Sequence, residues 1–208
     1  MTAAEAARLL ITKGDAATTD DVIAAIKASG REPFLGGAYD LNIVAVRHSD
    51  REANTFNDRV WVLYKEAHPQ SPWFLYTAPI TTDPGTYYRL NPSRVEGTAV
   101  LQAGFHAGCW KLGLHKGETP ALVQAKPVTV WRDNDRDASV DLGPKTQTGM
   151  FGINLHPAGV DSSVVDKWSA GCQVWKRRAD HEAFLRLCNL QVEHHPTWDT
   201  FSYLLLEA

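Results

Sequence analysis

The chain has 208 residues, of which 44% are hydrophobic and 22% charged, a composition typical of one main globular domain with a sizeable core. Its formal net charge is -3 and its charges of both signs are interleaved, which argues against a nucleic-acid partner. The three cysteines Cys109, Cys172 and Cys188 are an odd number without paired metal-ligand spacing, so we expect neither a disulfide framework nor a zinc knuckle.

The first 36 residues predict a short helical segment, with helices at 3–11 and 19–29. The second helix begins at a capping-box-like "TTDD" and ends at Gly30. The N-terminal apolar stretch is too short and too charged for a secretory signal, and no run of 18 apolar residues occurs. We therefore expect synthesis in the cytoplasm without a signal peptide, and no membrane insertion.

Residues 37–208 predict a second, larger domain that is rich in strands. β-branched and aromatic runs separated by Pro, Gly and Asp indicate strands at 41–46, 73–78, 98–104, 121–125 and 128–131. Apolar residues at helical spacing predict amphipathic helices at 54–67 and at 179–190. The expected fold is mixed α/β and β-rich, a β-sandwich or partly closed barrel with short helices.

The stretch "TGMFGINLHPAG" predicts a strand with two different faces. Phe151, Ile153 and Leu155 point to one side, whereas Asn154 and His156 share the more polar side. The proline that follows His156 disfavours the α region, so the histidine should lie at an extended strand end, where side chains reach a cleft.

The stretch "WSAGCQVW" places Cys172 behind a glycine, 16 positions after His156. Gly171 permits an unusual backbone angle, and a tight turn there could aim the amides of residues 170–172 at one oxyanion. Only a few per cent of an ordinary thiol, with a pKa of about 8.5, is ionised at neutral pH, so His156 would supply the base that a cysteine nucleophile needs.

Together, "GINLH" and "WSAGCQVW" resemble the L,D-transpeptidase catalytic domain of the YkuD type, whose pattern is a histidine, a gap in the mid-to-high teens, then Ser/Thr-x-Gly-Cys. The resemblance includes "KTQTGMFGI", covers roughly residues 140–176, and is especially similar to phage-associated and other stand-alone members. It implies the L,D-transpeptidase fold for residues 37–208 and acyl transfer or hydrolysis on peptidoglycan stem peptides through a thioester.

The resemblance also assigns roles to residues. Cys172 is the expected nucleophile and His156 the base, Ser169 and Gly171 shape the turn, and the carbonyl of Pro157 orients the imidazole. The expected substrate contacts are Asn154, Ala170, Trp168, Gln173 and His115. No metal or cofactor is expected, and the chain would act on the cell wall after release or delivery.

Two positions depart from the family pattern, which often has a histidine where this chain has Ala170 and an arginine or asparagine where it has Val174. Arg177 or Arg178 could supply the missing cation from the next turn. Because both departures remove groups that could hold a second peptide strand, they favour hydrolysis over cross-linking.

Several alternatives remain open at this point. Cys109, in "FHAGCW", is a rival nucleophile, and a catalytically silent phage or wall-binding module is a rival function. A zinc-dependent wall amidase would draw its ligands from His106, Cys109, His115, His194 and His195, although no HExxH or CxxC is present. The charged run "VWRDNDRDASVD" is interpreted as a solvated turn, Trp73 and Trp131 as core, and Trp168 and Trp175 as possible cleft walls.

Overall fold

The computed structural model describes residues 1–50, 54–67, 70–137 and 139–208. The strands in these residues are β1 (Asn42–Arg47), β2 (Asp58–Tyr64), β3 (Phe74–Thr81), β4 (Thr98–Leu101), β5 (Gly104–His115), β6 (Thr119–Gln124), β7 (Val128–Asp133), β8 (Thr146–Gly149), β9 (Leu155–Pro157), β10 (Gln173–Trp175) and β11 (Thr200–Glu207). The helices are α1 (Ala3–Lys13), α2 (Thr19–Ala28), α3 (Thr86–Leu90) and α4 (Arg178–His194).

Eight of these strands form a closed barrel in the order β1-β11-β5-β6-β9-β10-β3-β2. Strands β4, β7 and β8 form a separate three-stranded sheet. The fold is therefore mixed α/β and strand-rich, as the sequence predicts, and the barrel is closed rather than partly open. None of the described helices is long and apolar enough to cross a bilayer.

The strands at the junction of the barrel and the helices are buried on both faces. In β1, Ile43 and Ala45 belong to the main barrel core, whereas Val44 and Val46 belong to a second apolar cluster with α1 and α2. Side chains alternate between the two faces of a strand, so each face of β1 has its own apolar partner. All six residues of β1 are buried for this reason.

Helices α1 and α2 begin with capping boxes and pack on the outside of the barrel. The side chains of Thr2 and Thr18 each accept a hydrogen bond from the third helical amide. The helices share the second apolar cluster with β1, β2 and β11. The helical segment predicted for residues 1–36 is thus attached to the barrel through a common core, while its status as a separate domain stays a prediction.

The helix predicted over residues 54–67 is wrong, because this region contains strand β2. Val60 and Val62 face the barrel core, and Trp61 and Leu63 face the helices. A strand buried on both faces shows no alternation of apolar and polar residues, and its continuous apolar run fits a helical stripe by coincidence. The predicted helix at 179–190 is confirmed and extends over Arg178–His194.

The five strands predicted between residues 41 and 131 are all present, although their ends differ by a few residues. The strand predicted to enter His156 is much shorter than expected and covers only Leu155–Pro157. Strands β5, β10 and β11 were not predicted. Trp73 and Trp131 are half-buried, and Trp175 is buried in the barrel core, where it stacks on Phe184.

A buried arginine connects the barrel to the three-stranded sheet. Arg47, at the end of β1, is 1% exposed, and its Nη2 donates to the carbonyls of Leu101 on β4 (2.9 Å) and Thr82 after β3 (3.2 Å). Its Nε lies 2.8 Å from the carboxylate of Asp83. These contacts fix β4 against the end of the barrel where Cys172 lies.

Candidate active site

The turn that carries Cys172 is held by a buried serine. Ser169 Oγ donates to the carbonyl oxygen of Cys172 (2.8 Å) and accepts the amide N–H of Gly171 (3.1 Å). Gly171 has a φ of +120°, and a Cβ at this position would lie 2.4 Å from the carbonyl oxygen of Ala99 on β4. The turn therefore requires glycine both for its backbone angle and for its contact with the three-stranded sheet.

A side chain of the barrel holds the loop that faces this turn. Gln124, at the end of β6, accepts hydrogen bonds through its Oε1 from the consecutive amides of Phe151, Gly152 and Ile153, at 2.9 to 3.1 Å. Its Nε2 donates to the carbonyl of Gly149 (2.9 Å). These bonds take the place of the strand-to-strand hydrogen bonds of the expected longer strand, since they provide partners for the same backbone groups.

Cys172 lies between the turn and this loop and is 9% exposed. Its Sγ lies 3.5 Å from the carbonyl oxygen of Gly152, to which the thiol donates, and accepts the amide N–H of Asn154 at 3.4 Å. Burial raises the pKa of the Cys172 thiol to about 11, although the Asn154 amide and the charge of Lys116 act in the opposite direction. The thiol is therefore protonated at neutral pH in the free protein.

His156, on β9, is 3% exposed and its Nδ1 lies 2.9 Å from the carbonyl oxygen of Pro157, the contact that the family resemblance implies. Because a carbonyl only accepts, Nδ1 carries the proton and Nε2 of the neutral ring has a free lone pair. Nε2 has no hydrogen-bond partner within the described part of the chain. Burial, and then the nearby His115, lower the pKa of His156 to about 3.

His115, at the end of β5, stacks on His156 with ring centroids 3.9 Å apart and planes 19° apart. Its Nδ1 lies 3.0 Å from Nδ2 of Asn154, whose Oδ1 accepts the amide of Gln124 (3.0 Å). The backbone N–H of Gln124 can only donate, so the Asn154 atom that it contacts must be the oxygen Oδ1. The other end of the Asn154 side chain, Nδ2, therefore donates to His115 Nδ1. The His115 ring must then carry its proton on Nε2.

His115, His156 and Cys172 form a possible metal-binding cluster, because their ligand atoms all lie within 4.8 Å of one another. Imidazole nitrogen and thiolate sulfur suit zinc and other soft divalent ions. The lone pair of His115, on Nδ1, accepts the Asn154 side chain and its Nε2 carries the proton, so an ion shared by all three residues would have to displace either this hydrogen bond or this proton.

The zinc ligands suggested by the sequence, other than His115, do not belong to this cluster. His106 and His195 contact the backbone carbonyls of Gln102 and Ala38, and His194 packs on Tyr39. The Sγ of Cys109 lies 3.6 Å from the carbonyl of Ala107, and burial raises its pKa. Cys109 is therefore placed apart from the cluster that His156 forms with Cys172.

A cleft of about 250 Å³ leads from the surface to His115 and His156. Trp168, which is 44% exposed, forms part of its wall, together with Lys116, Lys167 and Arg178. Of the two arginines suggested as substitutes for the family's cation, Arg178 lines this cleft. Arg177 instead forms an ion pair with Asp180 (2.7 Å).

Two predicted substrate contacts lie elsewhere. Gln173 is fully buried, where its Oε1 accepts the hydroxyl of Tyr203 (3.0 Å) and its Nε2 lies 3.4 Å from the carbonyl of Thr82, so it supports the turn from within the barrel. Ala170 lines a different cavity, beside Arg132 and Phe151. The structure brings together Cys172, His156, Pro157, Asn154 and His115, with Trp168 at the cleft.

Some residues of the site were missed from the sequence. Gln124 holds a loop that follows it by nearly 30 positions, and Lys167 reaches the cleft only through the closure of the barrel. No local pattern marks these residues.

No family model matches the chain, and neither a curated protein nor a solved structure matches it. Its function is therefore inferred from the geometry of the site and from the motif resemblance.

We predict that Gly171→Ala lowers the free energy of unfolding by at least about 2 kcal/mol, because the new Cβ both strains the backbone and collides with the Ala99 carbonyl. Gly143→Ala is the matched control, since a Cβ there meets nothing within 4 Å, and it should change stability by less than about 0.5 kcal/mol. Urea unfolding of both variants measures the difference. Equal stability of the two would contradict the described turn.

We also predict that Cys172 in the free protein reacts slowly with iodoacetamide at neutral pH. Alkylation needs the thiolate, and a pKa of about 11 leaves roughly 300-fold less of it at pH 7 than in an ordinary thiol with a pKa of about 8.5. The rate, measured by mass-spectrometric peptide mapping, should still rise between pH 9 and pH 10, where a cysteine peptide approaches its plateau. A plateau below pH 8 would instead indicate a preformed thiolate–imidazolium pair.

Proposed function

We propose that the chain is a cysteine enzyme of the L,D-transpeptidase type that cleaves or transfers peptidoglycan stem peptides through a thioester. The observation that carries this proposal is the free Nε2 of His156, whose tautomer is set by the Pro157 carbonyl in a ring that lies beside Cys172 at the inner end of the cleft. A buried imidazole without a partner on Nε2 is suited to receive the thiol proton.

In the proposed reaction, the substrate carbonyl enters beside Cys172 and excludes water from the cleft. The thiol proton moves to His156 Nε2 as sulfur bonds to the carbonyl carbon, so a lone thiolate need not form in this poorly solvated site. The Gly171 amide donates to Ser169 Oγ, so the amides of Ala170 and Cys172 hold the oxyanion in this reaction.

The tetrahedral intermediate then collapses. The carbon–nitrogen bond breaks, the proton on His156 Nε2 passes to the departing amine, and Cys172 remains acylated as a thioester. Stacking of His115 and the low pKa of His156 favour release of this proton. The Pro157 carbonyl keeps the ring in one orientation through both transfers.

The acceptor of the acyl group decides whether the product is a shortened stem or an exchanged one. Val174 is fully buried and Ala170 lies on another cavity, so neither position offers a polar group for an incoming amine. Alignment of a second peptide is a positioning problem, whereas water is always present. We therefore propose hydrolysis as the main outcome, on the cell wall that the protein meets after release or delivery.

Incubation with tetrapeptide muropeptides, with and without excess D-amino acid, tests this function by mass spectrometry. Shortened stems are expected, and Cys172→Ala and His156→Gln should each reduce turnover by at least about 1000-fold. Cys109→Ala is the matched thiol control and should retain activity. Exchanged or dimeric products would replace hydrolysis by transpeptidation, and binding without any product would favour the non-catalytic wall-binding module.

A zinc-dependent hydrolase is the second candidate, and the cluster of His115, His156 and Cys172 is the observation that favours it. The two candidates predict opposite responses to metal. If Cys172 is the nucleophile, micromolar Zn²⁺ inhibits turnover by occupying the thiol and EDTA has no effect or activates. Loss of activity in EDTA, restored by stoichiometric Zn²⁺, would establish the metalloenzyme instead.

A further inference from the structure

The cleft is lined by His115 and His156, each with a ring nitrogen within 4.8 Å of the Cys172 Sγ, and it is bordered by three cations from distant parts of the sequence. Lys116 lies in the turn between β5 and β6, Lys167 lies just before the nucleophile turn, and Arg178 is the first residue of α4. The side chains that line the cleft include no aspartate or glutamate. The closed barrel has therefore brought together positive charges without any negative ones.

These three cations are also not neutralised by neighbouring side chains. In the ranges that the structure describes, none of them forms an ion pair. Lys167 lies over the ring of Tyr87 at 4.4 Å, which positions its ammonium group without cancelling its charge. Asp180, near the start of α4, is paired with Arg177 and leaves Arg178 facing the cleft.

The inner end of the cleft adds a neutral donor to these charges. Because Asn154 fixes the His115 proton on Nε2, this ring presents an N–H rather than a lone pair. The charge of Lys116 reaches the reacting groups, since it lowers the pKa of both His156 and Cys172. A cleft with cations at its mouth and a donor inside attracts anions and concentrates them near the nucleophile.

We propose that this cleft is an anion-selective subsite that recognises a free carboxylate on the acyl donor and rejects the corresponding carboxamide. Lys116, Lys167 and Arg178 set this selectivity. The inference deepens the proposed function, because the acyl donor is the peptide defined there, but selectivity of the cleft for anions does not itself require turnover. Amidation of the substrate carboxylate would then weaken its binding.

The test compares alkylation of Cys172 by iodoacetate, which is an anion, with alkylation by iodoacetamide, which is neutral and nearly the same size. Both rates are measured at pH 9 by peptide mapping, and the rate with iodoacetate is divided by the rate with iodoacetamide. This ratio is then divided by the same ratio for a short cysteine peptide, which gives the normalised ratio. The depth of the thiol and its pKa affect both reagents and cancel. At low ionic strength the normalised ratio should be on the order of 10, and it should fall toward 1 in 1 M salt.

Substitution of each cation identifies the residues that cause the preference for the anionic reagent. Arg178→Gln, Lys116→Gln and Lys167→Gln should each lower the normalised ratio by about threefold. Lys145→Gln is the control, since Lys145 is an exposed cation on a different cavity and should leave the ratio unchanged. A normalised ratio near 1 at low salt would overturn the proposal. So would three cleft variants whose normalised ratios equal that of the Lys145→Gln control.

The result separates the two proposals. A raised, salt-sensitive ratio without turnover of muropeptides would retain the anion subsite and reject the peptidase. Turnover with a normalised ratio of 1 would retain the peptidase and reject the subsite. With an active enzyme, the carboxylate donor should show a KM at least about 10-fold below that of its carboxamide, and Arg178→Gln should reduce this difference.

Discussion

The close approach of Gly171 to the carbonyl of Ala99 is the contact on which the geometry of the site depends. It places the turn that carries Cys172 directly on β4, with a separation that no other residue permits. β4 is in turn held by Arg47, whose guanidinium bonds the Leu101 carbonyl at the end of that strand. The position of Cys172 is thus set by a backbone contact to the small sheet and by a buried cation that ties this sheet to the barrel.

Arg47 also acts on the C-terminal side of the turn that carries Cys172, through the carbonyl of Thr82. The carbonyl of Thr82 accepts hydrogen bonds from both Arg47 and Gln173, and Gln173 directly follows Cys172. Removal of one partner from a buried ionic group costs about 3–5 kcal/mol, because the remaining charge is left without compensation. The stability of the barrel end and the placement of Cys172 therefore depend on the same small set of polar contacts.

The site combines a poorly solvated interior with a charged entrance. Burial keeps Cys172 and His156 neutral at rest, which protects the thiol from reagents in bulk water. Lys116, Lys167 and Arg178 lie outside this interior, where water solvates their charges. In the proposed enzyme the entrance selects the substrate, and proton transfer begins only when the substrate carbonyl has reached sulfur.

The sequence by itself determined the features that depend on near neighbours in the chain. The capping box at Thr18 and the backbone angle that needs glycine at position 171 are local, and the sequence predicted both of them. The contact of His156 with the carbonyl of Pro157 is also local, and it was expected from the family resemblance. Only the tertiary structure decided that β2 is a strand, because apolar partners on both of its faces remove the alternation that marks a strand. Likewise, Gln124 supports the loop of Asn154, and Arg178 reaches the cleft, because closure of the barrel joins segments that no short-range pattern connects.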